Sequence, residues 1–238
     1  MTDVTTLWVY LSASPLTWLT ATLFAYLAGH AAFRASGGRP IVNAVAIAIA
    51  LLGAALIATD TPYAAYFEGA QFIHFLLGPA TVALAVPLWR NRTAIRRSLL
   101  PMTAALFAGS LAAIFTAVGV AALLGASPET LLALAPKSAT APIAMGVAEG
   151  IGGAPALTAV LVILTGIVGA VVATPLLNVI RVKDPKARGF AIGVASHGIG
   201  AARAFQESER TGAFAGIGMG LNGLATAVLA PLIVAWLL

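Results

Sequence analysis

Two short stretches of this sequence hold the residue types that can do chemistry. Residues 196–207 read SHGIGAARAFQE and include Ser196, His197, Gly198, Gly200, Arg203 and Glu207. Residues 135–142 read APKSATAP, in which Pro136 and Pro142 bracket Lys137, Ser138 and Thr140. A guanidinium or an ammonium attracts a carboxylate, and serine and threonine hydroxyls hydrogen-bond to it. A histidine gains or loses a proton near neutral pH. The set therefore suits a small organic anion, moved with or without a proton. Gly193, Gly198 and Gly200 loosen a helix and let another backbone approach. A glycine break there exposes amides at the start of the next half-helix, where the helix dipole favours an anion. Arg203 falls about a turn and a half beyond that break. The plainer alternative pairs Arg203 with Glu207 at i+4 near a surface and lets Glu149 or Glu207 neutralise Lys137. Asn222 and Thr165 each precede a glycine in an apolar run. A buried amide such as Asn222 can line the site or bond a neighbouring helix.

The elements that must position these residues are written in the composition. The chain has 238 residues, 60% hydrophobic and 9% charged, with no cysteine, and a mean hydropathy of +0.98. Apolar runs near 15–33, 40–58, 70–89, 99–124, 155–180 and 211–237 approach or exceed the ~20 residues that cross a bilayer core. Segments 128–152 and 187–209 are apolar but interrupted. The expected fold is an all-α polytopic membrane protein of about 7–8 transmembrane segments, some broken or re-entrant. Residues 1–238 are expected to form a single integral membrane domain. Trp8, Trp18, Trp89 and Trp236 read as interface anchors, and His30 and His74 as structural residues.

Charge sets the orientation. Arg34 and Arg39 lie in one gap, Arg90, Arg92, Arg96 and Arg97 in a second, and Arg181, Lys183, Lys186 and Arg188 in a third. The intervening gaps carry Asp60, Glu68 and Glu129. The positive-inside rule places the basic gaps in the cytoplasm. Position 129 is then outside and 181 inside, and span 155–180 makes that crossing. Segment 128–152 should therefore dip in and return, the alternative being an outside loop followed by an interfacial helix. For 187–209 the sequence leaves two choices. A full crossing puts Glu207 and Glu209 outside, and a re-entrant segment puts them inside.

The runs APALTAVLVILTG, ending at Gly166, and GAFAGIGMGLNG, ending at Gly223, are weakly similar. Each follows a broken segment, and Pro175 and Pro231 recur later. Residues 128–180 and 187–237 are candidate repeat units, of opposite topology if both broken segments are re-entrant, an arrangement typical of secondary transporters.

Other chemistries find little support. Without cysteine there is no disulfide or thiolate metal site, and no metal or cofactor is expected. HExxH, GxSxG and Walker motifs are absent, and the adjacent pairs Lys137–Ser138 and Ser196–His197 do not face each other on a helix; the chain reads as a non-enzyme. The net charge of +5 comes from residues scattered in short gaps, so nucleic acid is not an expected partner. The start, MTDVTTLWVYLS, lacks a basic n-region, and no cleaved signal peptide is expected.

The runs PKSATAPIAMGVAEGIGGAPALTAVLVILTGIVGAVV and RVKDPKARGFAIGVASHGIGAARAFQESERTGAFAGIGMGLNGLATAVLAP, with LLGPATVALAVPLW upstream, resemble the LrgB/CidB family of bacterial membrane proteins. The resemblance covers roughly residues 60–236. Its most specific parts are PKS followed by TxPIA, and ASHxxGxARA. The resemblance implies a multi-pass protein of the bacterial inner membrane, acting beside a smaller holin-like LrgA/CidA subunit, with homo-oligomerisation left open. It carries two functional expectations. One is control of murein hydrolase activity and lysis through that partner. The other is transport of small monocarboxylates or 2-hydroxy acids (glycolate, glycerate, pyruvate, acetate), because the plastidial glycolate/glycerate translocator is similar to an LrgA-like part joined to an LrgB-like part. The family's motif residues here are Pro136, Lys137, Ser138, Thr140, Pro142, Ser196, His197, Gly198, Gly200 and Arg203.

Overall fold

The computed structural model describes residues 14–237 apart from Leu84 and Asn91, and every described element is an α-helix. Trp8 lies outside the described residues. The helices are α1 Pro15–Ala35, α2 Ala44–Ala58, α3 Tyr63–Ala83, α4 Ala85–Arg90, α5 Arg92–Arg97, α6 Leu99–Leu123, α7 Pro128–Leu134, α8 Ala141–Gly150, α9 Pro155–Val179, α10 Pro185–Glu207 and α11 Glu209–Leu237. By length and composition α1, α6, α9 and α11 can cross a membrane. Their side chains in that role face lipid, which is why Leu123, Val168, Leu224 and Leu232 are exposed in an apolar protein.

The chain forms two compact units, residues 1–85 and 86–238. In the first, α1 packs against α2 and α3. Glycines set the spacing: a Cβ on Gly69 would lie 2.2 Å from the Pro15 carbonyl oxygen, and one on Gly29 would lie 2.4 Å from that of Ala44. Trp18 is therefore not an interface anchor. It is 2% exposed, its ring edge-on to Tyr66, because Gly69 brings α3 directly against the start of α1. Trp89 and Trp236 are exposed, as interface anchors would be. His30 stacks on Tyr26 and His74 meets Phe67 edge-on, in keeping with structural roles.

In the second unit the basic segments share one end. Arg90 pairs with Glu209 at 3.6 Å, and Arg188 pairs with Glu207 at 3.2 Å. From that end α6 runs to the far side. There α7 and α8 turn inward and come back, so that Gly153 lies against Ala133 and the Thr158 hydroxyl donates to the Ala133 carbonyl at 3.2 Å. Span α9 then returns to the basic end. Segment 128–152 thus folds as a hairpin whose two ends meet.

Segment α10 settles the second choice. A continuous helix would separate residues 188 and 207 by about 28 Å at 1.5 Å per residue, yet their side chains form an ion pair. The helix reverses at Ser196 (φ −134°, ψ 15°) and His197 (φ 41°, ψ −137°). Arm 185–195 rises from the basic end, arm 198–207 returns to it, and α11 starts there and crosses. The rising arm lies against α11: a Cβ on Gly189 or on Gly193 would sit 2.0 Å from the carbonyl oxygens of Thr211 and Ala215. Glycine is required at both positions because backbone meets backbone.

Candidate functional site

Each hairpin places its tip on the span that follows the other hairpin. At the first tip Lys137 and Ser138 lie between the end of α7 and Thr140, the N-cap of α8. Pro136 and Pro142 explain the interruption, since neither can donate a backbone bond. Ser138 is 1% exposed. The Asn222 amide, in mid-α11, donates to the Ser138 carbonyl at 3.0 Å and accepts from the Ser110 hydroxyl at 2.7 Å. Both ends of that amide are thus engaged in joining α6, α11 and the tip. Gly223 makes room for Ile143 of α8.

At the second tip the break falls on Ser196 and His197, between the glycines at 193 and 198 rather than on one of them. His197 takes a positive φ that a non-glycine residue rarely adopts. Its ring is buried, and Nε2 lies 2.8 Å from the Val162 carbonyl of α9. A carbonyl only accepts, so Nε2 is the donor and Nδ1 is left to take or release a second proton. The space is made by α9: a Cβ on Gly166 would lie 2.6 Å from the imidazole, and one on Gly169 would overlap the Ser196 hydroxyl. Gly200 lets the two arms close, with Ile192 3.0 Å from its would-be Cβ, whereas Gly198 makes no tight contact.

The two tips meet through Val162, which clusters with Ala139 and Ala144 of the first hairpin while its carbonyl accepts from His197. Lys137 is half-exposed, and among the described residues no carboxylate or hydrogen-bond acceptor holds its ammonium. Glu149 is exposed, and Glu207 is committed elsewhere. The Thr140 hydroxyl makes no capping bond. Arg203 does not join this group. It stands six residues down the returning arm, about 9 Å along the helix, where Nη1 donates to Gln206 at 2.9 Å and the buried Nε has no partner. Nor is it paired with Glu207. That carboxylate accepts from Arg188 Nε at 3.2 Å, Arg188 Nη2 at 3.3 Å and the Thr174 hydroxyl, while Arg188 also donates to Asn178. Burial by itself would raise the Glu207 carboxyl, but the bonds from Arg188 and Thr174 and the charges of Arg188 and Arg203 outweigh it and hold it below the usual carboxylate range. Sequence reasoning did not single out Ser110, Val162, Gly169 or Arg188 as partners of the tips and arms. Ser110, a hydroxyl within apolar span α6, was the one legible signal among them. Thr165 bonds back to Leu161 within its own helix.

An all-helical membrane protein with two interrupted hairpins seated on its spans is the class that fold and site define. Comparison with known proteins then names the family. The sequence model of the LrgB-like family matches residues 22–236, and the chain belongs to that family. It is 34% identical to the uncharacterized protein YwbG of Bacillus subtilis, over 79% of this chain and 84% of that protein. It is 30% identical to the holin-like protein CidB of Staphylococcus epidermidis, over 82% and 85%. The antiholin-like protein LrgB of Bacillus cereus is 29% identical over 92% of this chain and 95% of its own length. No solved structure matches.

Proposed function

We propose that this chain is a secondary carrier of small monocarboxylates or 2-hydroxy acids. One observation carries the reading: an ammonium, that of Lys137, sits uncompensated at a helix interruption inside the helical unit, beside a free threonine hydroxyl and a second interrupted tip. An intramembrane cation without a partner is costly and functional by default. In this reading Lys137 attracts the carboxylate, and Thr140, Ser138 and Ser196 offer hydroxyls. His197 carries a coupling proton on Nδ1. Arg203 draws the anion toward the tips from the basic side, and Asn222 holds the first tip in place. Residues 128–180 and 187–237 act as inverted repeats, each hairpin gating against the other repeat's span.

A second reading has its own support in the names holin-like and antiholin-like borne by CidB and LrgB relatives. Here the chain is a regulatory subunit acting on a holin-like membrane partner and carries no substrate.

The experiment is uptake of labelled glycolate, pyruvate and acetate into proteoliposomes under a pH gradient, with the chain alone and with an LrgA-like partner. Saturable uptake by folded protein, lost at least tenfold in Lys137→Gln and Arg203→Ala, supports the carrier. No uptake in either preparation supports the regulatory subunit.

A further inference from the structure

The rising arm of α10 and the first part of α6 leave a groove between them of about 480 Å³. Pro101, Ala105, Gly109 and Ala113 line it from α6, and Ala187, Ala191 and Ala195 from α10. Each set recurs every fourth residue, so each lies along one helix face. The floor is Phe190, Val194 and Phe214, which pack with Met102 and Leu106 in a buried cluster. Elsewhere the spans present long side chains, as α9 does with Val160, Leu164, Val168 and Leu176; here alanine and glycine leave space. The polar residues sit at one end, where both helices begin: Ser98, Asp184 and Lys186. The Asp184 carboxylate is engaged, accepting from the Lys186 backbone N–H at 2.7 Å as the cap of α10. The Ser98 hydroxyl makes no capping bond, although it stands at the cap position of α6. The half-buried Lys186 ammonium has no hydrogen-bond or ion-pair partner among the described residues. Arg96, Arg97 and Lys183, exposed and adjoining these residues in the chain, keep this end positive.

We propose that this groove holds one acyl chain of an anionic phospholipid, whose phosphate is bound by the Lys186 ammonium and the Ser98 hydroxyl. The length fits. Pro101 to Ala113 spans about 18 Å at 1.5 Å per residue, against about 15 Å for the hydrocarbon of one leaflet. The bore fits hydrocarbon and not protein: a helix of that length, about 10 Å across, fills roughly 1,400 Å³ and would lie over the groove instead of in it. Beyond the mouth the lining side chains are apolar, which favours an apolar occupant. The charge fits as well. The mouth lies at the basic end, which the positive-inside rule places on the cytoplasmic side. That leaflet carries anionic lipids, and basic pockets between helices on that side bind their headgroups. The groove ends at Ala195, next to the second tip, so a bound chain would lie along the whole rising arm and brace it. The site rests on the groove and its charge and does not depend on the carrier reading.

The test is thermal unfolding of the detergent-purified full chain titrated with dioleoyl-phosphatidylglycerol, dioleoyl-phosphatidylcholine or glycerol phosphate, without any organic acid. The expected result is a saturable rise in the midpoint with phosphatidylglycerol, a response to phosphatidylcholine only at tenfold higher concentration or more, and none to glycerol phosphate. Ala191→Leu fills the groove from an exposed position and should raise the half-saturating phosphatidylglycerol concentration at least tenfold. Lys186→Gln should raise it at least fivefold, and Lys186→Arg should restore it. Should the leucine variant not fold, Ala105→Leu plugs the groove from the other wall. An equal response to the two lipids, or a phosphatidylglycerol curve unchanged by the leucine or the glutamine variant, would overturn the site and leave a general lipid shell. A response to glycerol phosphate equal to that of the lipid would overturn the role of the acyl chain. A parent that runs as a dimer in size-exclusion chromatography, and a leucine variant that runs as a monomer, would give the groove to a second copy instead.

Discussion

The two hairpins reach the interior by different means. The first is interrupted by proline chemistry at both ends of its turn, and its tip is held by a side chain of the span, Asn222. The second has no proline at its turn. It reverses through a strained histidine whose own ring holds the tip to Val162, and an ion pair joins the feet of its arms. Proline lacks its backbone donor whatever surrounds it, so the interruption of the first hairpin is written locally in its sequence. A turn made at a positive φ in a non-glycine residue persists only where its surroundings over-determine it. The second hairpin is therefore the one whose shape depends on its contacts, and breaking those contacts sharpens the difference.

The largest effect is expected at Gly193. Alanine there would drive a methyl into the Ala215 carbonyl, at about 3 kcal/mol or more of overpacking. Gly146 in the first hairpin faces open space, and Gly146→Ala should leave the protein monodisperse and as stable as before. Thermal unfolding of the two variants side by side checks the contrast.

Next comes the ion pair at the arms' feet. The Arg188 and Glu207 side chains are only 11% and 16% exposed. Arg188→Ala leaves a carboxylate with little water and should destabilise by about 3 kcal/mol. The pair also sets a pH dependence. Glu207 has a folded pKa below its ordinary value of about 4.5, so its contribution is fully present above that pH and is lost as pH falls through the lower folded value. A chain carrying Glu207→Gln should lose less stability than the parent as pH falls from about 5 to about 3, read as unfolding midpoints across a pH series. A parallel decline in both would remove Glu207 from the account.

The smallest effect on stability, and the sharpest on function, is expected of His197→Gly. Glycine accepts the backbone angles at no steric cost, which offsets part of the about 1–3 kcal/mol lost when the buried Val162 carbonyl is left unpaired, so the protein should still fold, with a lowered unfolding midpoint. Uptake of labelled acid should fall severalfold or more. Unchanged uptake in a folded variant would make His197 a structural turn residue only.

Much of this molecule was legible before any coordinates. Hydropathy and the placement of Lys and Arg gave the helical class and the basic end, because both follow from one-dimensional patterns of transfer energy and charge. The hairpin of 128–152 was legible too, since Pro136 and Pro142 bracket a short polar run, Lys137 to Thr140, that a continuous span would not carry. The residues that form the second break were not. Three glycines pointed at 193–200 and the chain does turn within that stretch, but that the turn falls on Ser196 and His197 is explained only by Gly166 and Gly169 on a different helix, which make room for them. Arg203 was read as part of the anion group, but the reversal of α10 carries it toward the basic end, away from Lys137. The partner of Glu207 was likewise beyond reach. Helical spacing suggested Arg203, four residues back, whereas the structure supplies Arg188, nineteen residues back, through the hairpin.

By itself the sequence determined what each segment could tolerate: which runs prefer lipid, where proline interrupts a helix, and which end bears positive charge. These are local properties of residues and their transfer free energies. Only the tertiary structure decided which tip rests on which span and which cation is left without an anion. Those outcomes depend on close approach between segments distant in the chain, where a missing Cβ at Gly166, Gly189 or Gly193 lets two backbones or a ring occupy space that any other residue would fill.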